Sequence, residues 1–313
     1  MSRRYAILGT GAIGGYYGAC LQRAGADVHF LLRSDFDVVQ QQGLRIDSPE
    51  GNFVLPQVHA YQDVSTMPVC DVVVVALKTT QNHYLPQLLP GVLKQDGVVV
   101  LLQNGLNGEP RVAEIVGSDR VIGGLCFICS NKVGSGHIRH LDYKAIALGE
   151  YASDYEPKGI TKRLEAIAHD FEQAGVPIQL TPDLMQARWR KLLWNIPFNG
   201  LSVVLDAFTD AMIGHPAVLT LVEDLMWEVV AIAAAYGRKL TRADIDTMIS
   251  ETEAMQPYRT SMKIDYDSKR PLEVEAIVGC PLQMAQAKGI PAPKLAMLYQ
   301  QLLFLNHENV GEV

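Results

Sequence analysis

Within the first fifteen residues a short apolar strand, Tyr5–Leu8, runs directly into Gly9-Thr10-Gly11-Ala12-Ile13-Gly14. A Gly-x-Gly-x-x-Gly between a strand and a helix restricts the fold severely. The first glycine permits the tight turn off the strand, the second lets backbone approach a pyrophosphate, and the third allows helix and strand to pack closely. Ala12 and Ile13 open the helix, whose unpaired N–H groups and positive dipole end attract an anion. The flanks supply the required context, with a strand over Arg3–Leu8, a helix over Ala12–Ala24 and Gly25 to close it. The turn predicts a dinucleotide site on a doubly wound α/β sheet.

The rest of the first half alternates strands and helices accordingly. Strands are predicted over Asp27–Leu32, Asp71–Leu77 and Gly97–Leu102, helices over Asn82–Leu89 and Gly108–Val116, with an irregular crossover or hairpin in Gly43–Val58. The four consecutive valines of Asp71–Leu77 mark a strand buried on both faces, as in parallel sheets. Val121–Ser130, His137–Leu141 and Ala145–Leu148 read as further, antiparallel strands around a Gly134-Ser-Gly136 turn. A helix over Thr161–Ala174 and a last strand, Ile178–Leu180, complete this half.

Pro182 suits the first turn of a helix, and from there the apolar spacing is helical. Helices are expected over Asp183–Leu205, Pro216–Tyr236, Arg242–Glu253, Leu272–Lys288 and Pro293–Leu305. The fold class is therefore α/β: an N-terminal Rossmann-type doubly wound sheet, residues 1–181, and a second, all-helical domain, residues 182–313. A chain of 313 residues has room for about two domains at ~100–200 residues each.

Composition excludes several function classes. A net charge of −7 argues against general nucleic-acid binding, which leans on excess Lys and Arg. No apolar run approaches the ~20 residues that span a bilayer, so no membrane partner is expected. The glycines and Tyr17 argue against a cleaved signal in the uncharged stretch after Arg4, which leaves a cytoplasmic protein as the expectation. Five scattered cysteines do not form a disulfide framework. Cys126-x-x-Cys129 and the pair His137 and His140 read as strand residues rather than a redox or metal site.

The second strand of such a sheet ends beside the adenosine ribose, where an acidic residue suits NAD and an arginine suits NADP. Here it ends Phe30-Leu-Leu-Arg33-Ser34, which favours NADP through a planar, always-charged fork for the 2′-phosphate. Asp35 and Asp37 follow, and would repel a phosphate if they faced it. Ligands bind beyond the carboxyl ends of the strands, and Lys78 and Asn104 stand at two such ends. In the helical half, Lys191, Asn195 and Asn199 recur every four residues and so line one helix face. Asn is a mediocre helix former, which sets this stripe apart from one chosen for helix stability, and Pro197 predicts a kink. Ser261-Met-Lys-Ile-Asp265 and Glu273 form a second polar cluster. Glu275 competes with Glu273, and position alone does not choose between them.

Taken together these residues resemble the ketopantoate reductase family (2-dehydropantoate 2-reductases) nearly end to end. Gly9, Gly11 and Gly14 match its glycine turn, Arg33 its NADP-selecting arginine, and Lys78 and Asn104 its cleft lysine and the Asn of its Gln-Asn-Gly turn. Lys191, Asn195 and Asn199 match its Lys-x-x-x-Asn-x-x-x-Asn helix, and Ser261, Asp265 and Glu273 its Ser-Met-x-x-Asp segment with the Glu beyond. The resemblance implies NADPH-dependent reduction of ketopantoate to pantoate. It further implies Lys191 as general acid with Glu273 supporting the site. Asn195, Asn199, Ser261 and Asn104 would then hold the substrate, and Gly9, Gly11, Ala12, Ile13, Gly14, Arg33, Lys78 and Asn104 the nucleotide. Two alternatives remain open: a reductase of another 2-oxo or hydroxy acid, and a non-catalytic NADP-binding redox sensor. The expected partner is a small-molecule 2-oxo acid, and a largely helical second domain offers a surface for a homodimer.

Overall fold

The computed structural model describes residues 3–311. The chain divides into two compact units. One holds the residues up to Gln103 together with Gly108–Leu184; the other holds Asn104–Asn107 and the residues from Met185 onward. A single cut at residue 181 would leave Asn104–Asn107 in the first unit. These four residues group with the helices because Leu106 N–H donates to Ala276 O at 2.9 Å.

The first unit is built on one sheet. Its strands are β1 (Arg4–Leu8), β2 (Asp27–Leu31), β3 (Leu44–Asp47), β4 (Phe53–Leu55), β5 (His59–Tyr61), β6 (Cys70–Val75), β7 (Leu93–Leu101), β8 (Val121–Gly134), β9 (His137–Glu150) and β10 (Ile178–Leu180). Helices α1 (Ala12–Arg23), α2 (Phe36–Gln42), α3 (Leu85–Val92), α4 (Gly108–Val116) and α5 (Lys162–Gln173) connect and cover them. The strand order is β4-β3-β9-β8-β7-β6-β1-β2-β5, with β10 on β9. From β5 through β8 every pairing is parallel, whereas β8 and β9 run antiparallel. The chain leaves β1 first towards β2 and then returns to its other side with β6, so the order reverses between β1 and β6. That reversal opens a crevice at the carboxyl ends of the strands.

Burial explains why these segments are strands. Val72–Val75 are at most 1 % exposed, as the valine run requires of a strand covered on both faces. Tyr5, Ile7, Phe30, Val72 and Val74 meet Tyr17 of α1 and Phe171 of α5 in one core. Each such side chain contributes roughly 1.5–3 kcal/mol on burial.

Several elements differ from the sequence reading. The strands expected over His137–Leu141 and Ala145–Leu148 are one, β9, whose polar middle is a bulge with Tyr143 at φ 51° and a register shift opposite Cys129. The helix expected over Asn82–Leu89 is a 3-10 turn, Thr79–Tyr84, followed by α3. Short α2 and β5 went unread because seven and three residues carry too little periodicity.

The second unit is helical: α6 (Leu184–Val204), α7 (Thr209–Gly214), α8 (Pro216–Ala235), α9 (Arg242–Ala254), α10 (Ser261–Asp267), α11 (Cys280–Ala287) and α12 (Pro293–Val310). A capping box, Thr241 with Asp244, starts α9, and Glu228 of α8 accepts the N–H groups of Lys294 and Leu295 to start α12. The single helix expected over Leu272–Lys288 is instead a π-helical turn, Glu275–Gly279, running into α11. Pro281 is the local cause: lacking an N–H, it sits in the first turn of a new helix more readily than inside an old one. No helix among the described residues is long and apolar enough to cross a membrane.

Candidate functional site

The glycine turn sits at the order reversal. Gly9 has φ +99°, and a Cβ there would meet Leu77 N at 2.6 Å, so this position excludes side chains on backbone grounds. A Cβ on Gly14 would collide with Gly9 O and approach Ile7 Cγ2 to 2.9 Å. Gly11 is the opposite case, since a Cβ there would stand in open space. The chain thus keeps a bare backbone facing a free volume at the start of α1, while its other two glycines are demanded by packing. Gly11 is the N-cap of α1 and makes no side-chain capping bond, and no acidic residue occupies the first turn. Ala12 and Ile13 begin the helix. This cradle fits a pyrophosphate.

At the end of β2, Arg33 is exposed and its guanidinium carbon lies 5.2 Å from the centre of the Tyr84 ring. Asp35 turns inward: it is 4 % exposed, and its Oδ1 accepts from Lys132 Nζ at 2.6 Å while its Oδ2 accepts from Gly136 N–H at 3.0 Å. The Ser34 hydroxyl also donates to Asp35 Oδ1, at 3.1 Å. Burial raises the Asp35 pKa, but the Lys132 and Gly136 hydrogen bonds outweigh it, and the carboxyl is held below its ordinary range. Lys78, half-buried, stands at the start of the 3-10 turn beyond β6 and makes no side-chain capping bond to it.

In the second unit the stripe on α6 is not a solvated face. Asn195 is 4 % and Asn199 1 % exposed, with Lys191 half-buried a turn earlier. Trp189, Leu192, Leu193, Ile196 and Phe198 bury the rest of the helix. Asn195 Nδ2 and Asn199 Oδ1 find no hydrogen-bond partner among the described residues. A buried amide left in that state costs about 1–3 kcal/mol. Helix α6 runs on through Pro197, whose missing N–H removes the helical bond to Leu193 O.

The remaining groups are gathered by α10 and the chain that follows. Ser261 is the first residue of α10, after the N-cap Thr260. Asp265, buried, accepts from Arg270 Nε at 2.9 Å, and Arg270 O accepts from Asn309 Nδ2 at 3.2 Å. Leu272 N–H donates to Asn306 Oδ1 at 2.8 Å. These bonds hold residues 270–272 outside a helix and deliver Glu273, 5 % exposed, ahead of the π turn. The sequence left Glu273 and Glu275 undecided, and burial separates them. Glu275 is exposed and accepts from Tyr299 Oη at 2.5 Å. Asn104 is brought to the same π turn by Gly105, whose φ is +84° and whose missing Cβ leaves room for Ala276 O.

Similarity to known proteins agrees with this geometry. The model of the family described as ketopantoate reductase PanE/ApbA matches residues 5–153, and that of its C-terminal part matches residues 183–306. The chain belongs to the ketopantoate reductase PanE/ApbA family. It is 60% identical over 307 residues to the 2-dehydropantoate 2-reductase of Nostoc sp. (strain PCC 7120), covering 98% of this chain and 96% of that one. The crystal structure of 2-dehydropantoate 2-reductase from Geobacter metallireducens GS-15 superposes with a TM-score of 0.93 at 40% identity, covering 96% and 99% of the two chains. That of the enzyme from Methylococcus capsulatus gives 0.89 at 30% identity, covering 99% of each.

In each unit of this ketopantoate reductase family member, one further side chain was not singled out from sequence. Gln103, buried, donates from Nε2 to Leu77 O at 2.7 Å and to Asn82 Oδ1 at 2.6 Å, and so ties the tip of β7 to the segment carrying Lys78. Ser202 Oγ donates to Asn199 O at 2.9 Å and lies 2.7 Å from Thr260 Oγ1. That pair joins the Asn199 turn of α6 to the start of α10, where Ser261 stands. A signal for Ser202 exists, because it continues the stripe by three residues. The C-x-x-C cysteines lie on β8 as thiols. On β9, His137 Nε2 pairs with Asp47 Oδ2 at 2.7 Å, and His140 Nδ1 is 2.8 Å from Ser48 Oγ.

Proposed function

We propose that this chain catalyses the NADPH-dependent reduction of ketopantoate to pantoate, an oxidoreductase step that feeds pantothenate and coenzyme A synthesis. Its first unit serves as the nucleotide domain and its second as the substrate domain. Membership of the family supports the reaction. The observation that carries the substrate assignment is the pair of buried amide atoms on Asn195 and Asn199, without partners among the described residues, one turn apart and beyond Lys191. Buried polar atoms are kept without partners where a ligand completes them.

Gly9, Gly11 and Gly14, with the N–H groups of Ala12 and Ile13, hold the pyrophosphate, and Arg33 takes the 2′-phosphate. Lys78 and Asn104 contribute at the strand tips. NADPH held by these residues would supply the hydride for the C2 carbonyl. As the carbonyl oxygen becomes an alkoxide, the Lys191 ammonium stabilises the charge and donates the proton, which water later returns to the lysine. Glu273, enclosed ahead of the π turn, supports the site. Asn195, Asn199 and Ser261 hold the hydroxyl and carboxylate oxygens of the substrate, since amides and hydroxyls both donate and accept.

Replacing Lys191 with Ala tests this reading. Turnover of ketopantoate is expected to fall about a hundredfold or more, while NADPH affinity, followed by nucleotide fluorescence, stays within about twofold. An unchanged rate removes Lys191 from the mechanism. Preferential reduction of a different 2-oxo acid by the unmodified protein overturns the substrate.

A further inference from the structure

Sequences that select NAD place an acidic residue near the end of the second strand, whereas this chain places Arg33 there and an acidic residue two positions on. The structure disposes of that second charge in an unusual way. Asp35 stands at the N-cap of α2, where a carboxylate ordinarily accepts from the helix's own N–H groups. Here it makes no capping bond. Both oxygens are committed elsewhere, to Lys132 Nζ and Ser34 Oγ and to Gly136 N–H. The Lys132 side chain is 36 % exposed and that of Asp35 6 %, so the pair is partly screened from water and its charges cancel at close range.

The partners come from the far end of the β8–β9 hairpin, which is itself seated against α2 and β3. Gly136 O accepts from Arg45 N–H at 2.8 Å, and a Cβ on Gly136, at φ +64°, would approach Val39 Cγ2 to 3.0 Å. The seated hairpin brings Lys132 Nζ to 2.6 Å from Asp35 Oδ1. Asp37, exposed in the first turn of α2, sits where the helix dipole favours a negative charge.

We propose that Lys132 is a positioning residue for cofactor selectivity: by neutralising Asp35 and holding it inward, it leaves Arg33 to meet the 2′-phosphate of NADP without an opposing charge. The inference rests on the NADP reading above. It is tested by binding rather than turnover, with 2′,5′-ADP and 5′-ADP titrated calorimetrically into the purified protein.

In Lys132→Gln, which keeps a donor for Oδ1 but no charge, 2′,5′-ADP is expected to weaken about tenfold and 5′-ADP to stay within about twofold. Lys132→Arg should bind as the unmodified protein does. Asp35→Asn/Lys132→Gln, neutral at both positions, should recover 2′,5′-ADP affinity to within about threefold. An equal loss for both nucleotides in Lys132→Gln, or no loss, overturns the proposal. So does a double variant as weak as the single one, which would mean that Lys132 touches the phosphate directly. Arg33→Ala separates the two readings. If the unmodified protein or Arg33→Ala fails to show the expected preference and its loss, the NADP assignment falls whatever Lys132 does.

Discussion

Asn199 shows how a single residue carries information that burial, not sequence, makes legible. Its amide oxygen lies inside the helical unit, 1 % exposed as a residue, without a hydrogen-bond partner among the described residues. Leucine has a similar volume and no polar atom to leave unsatisfied. Asn199→Leu is therefore expected to leave stability unchanged or to raise it by up to about 1–3 kcal/mol, while kcat/KM for ketopantoate falls at least tenfold. Urea midpoints and steady-state kinetics check both signs, and a loss of stability together with unchanged kinetics would mean the amide serves the fold alone. The glycines were readable in advance because their demand is local: φ +99° at Gly9 is a backbone property. The direction in which Asp35 points was not readable, for the converse reason. Its partner, Lys132, is 97 residues away in sequence.

At the scale of elements, periodicity identified most helices and strands, and it failed where a segment was short or interrupted. The π turn at Glu275–Gly279 is the clearest case, since apolar spacing through Val274–Val278 reads as uninterrupted helix. Pro281 carried the missing signal. Widened turns of this kind recur at functional sites, and here Ala276 O accepts from Leu106 N–H and so docks the Asn104 loop. Gly105 makes the docking possible, with φ +84° and no Cβ to strike Ala276 O. Gly105→Ala is expected to cost about 2 kcal/mol from strain and overpacking, lowering the midpoint of thermal unfolding. If the loop positions Asn104 for catalysis, kcat/KM should drop about a hundredfold, beyond what partial unfolding explains. A stable variant with unaltered kinetics would detach this loop from the site.

For the molecule as a whole, the titrating groups give stability a definite direction with pH. His29, buried at the β2–β5 pairing, has its pKa lowered below 6.5, chiefly by burial and against the pull of Asp27. The unfolded chain then binds more protons than the folded one just below pH 6.5, so stability is full above that pH and declines as pH falls through the folded value. Asp27, held down mainly by its Arg4 hydrogen bond, contributes stability that is present above its ordinary 3.8 and lost below it. For Asp71 burial opposes the shift, but the Arg4 N–H and Lys94 hydrogen bonds prevail, with the same consequence. Denaturant midpoints measured from pH 8 to 3 should thus fall in two stages, and His29→Gln should remove the upper one. A flat profile between pH 7 and 5 in the unmodified protein would rule out the His29 contribution.

Sequence alone determined the features that rest on local rules: the glycine turn, the valine strand, the polar stripe at helical spacing, and through them the family. Tertiary structure decided what those rules cannot reach. It showed that the stripe is buried rather than solvated, that Glu273 and not Glu275 is enclosed, that Asp35 pairs with Lys132, and that Asn104 groups with the helices. Each of these depends on which distant segment supplies the neighbour. Spacing along a chain fixes the direction of a side chain relative to its own helix or strand, but only the packed fold sets what lies beyond its tip.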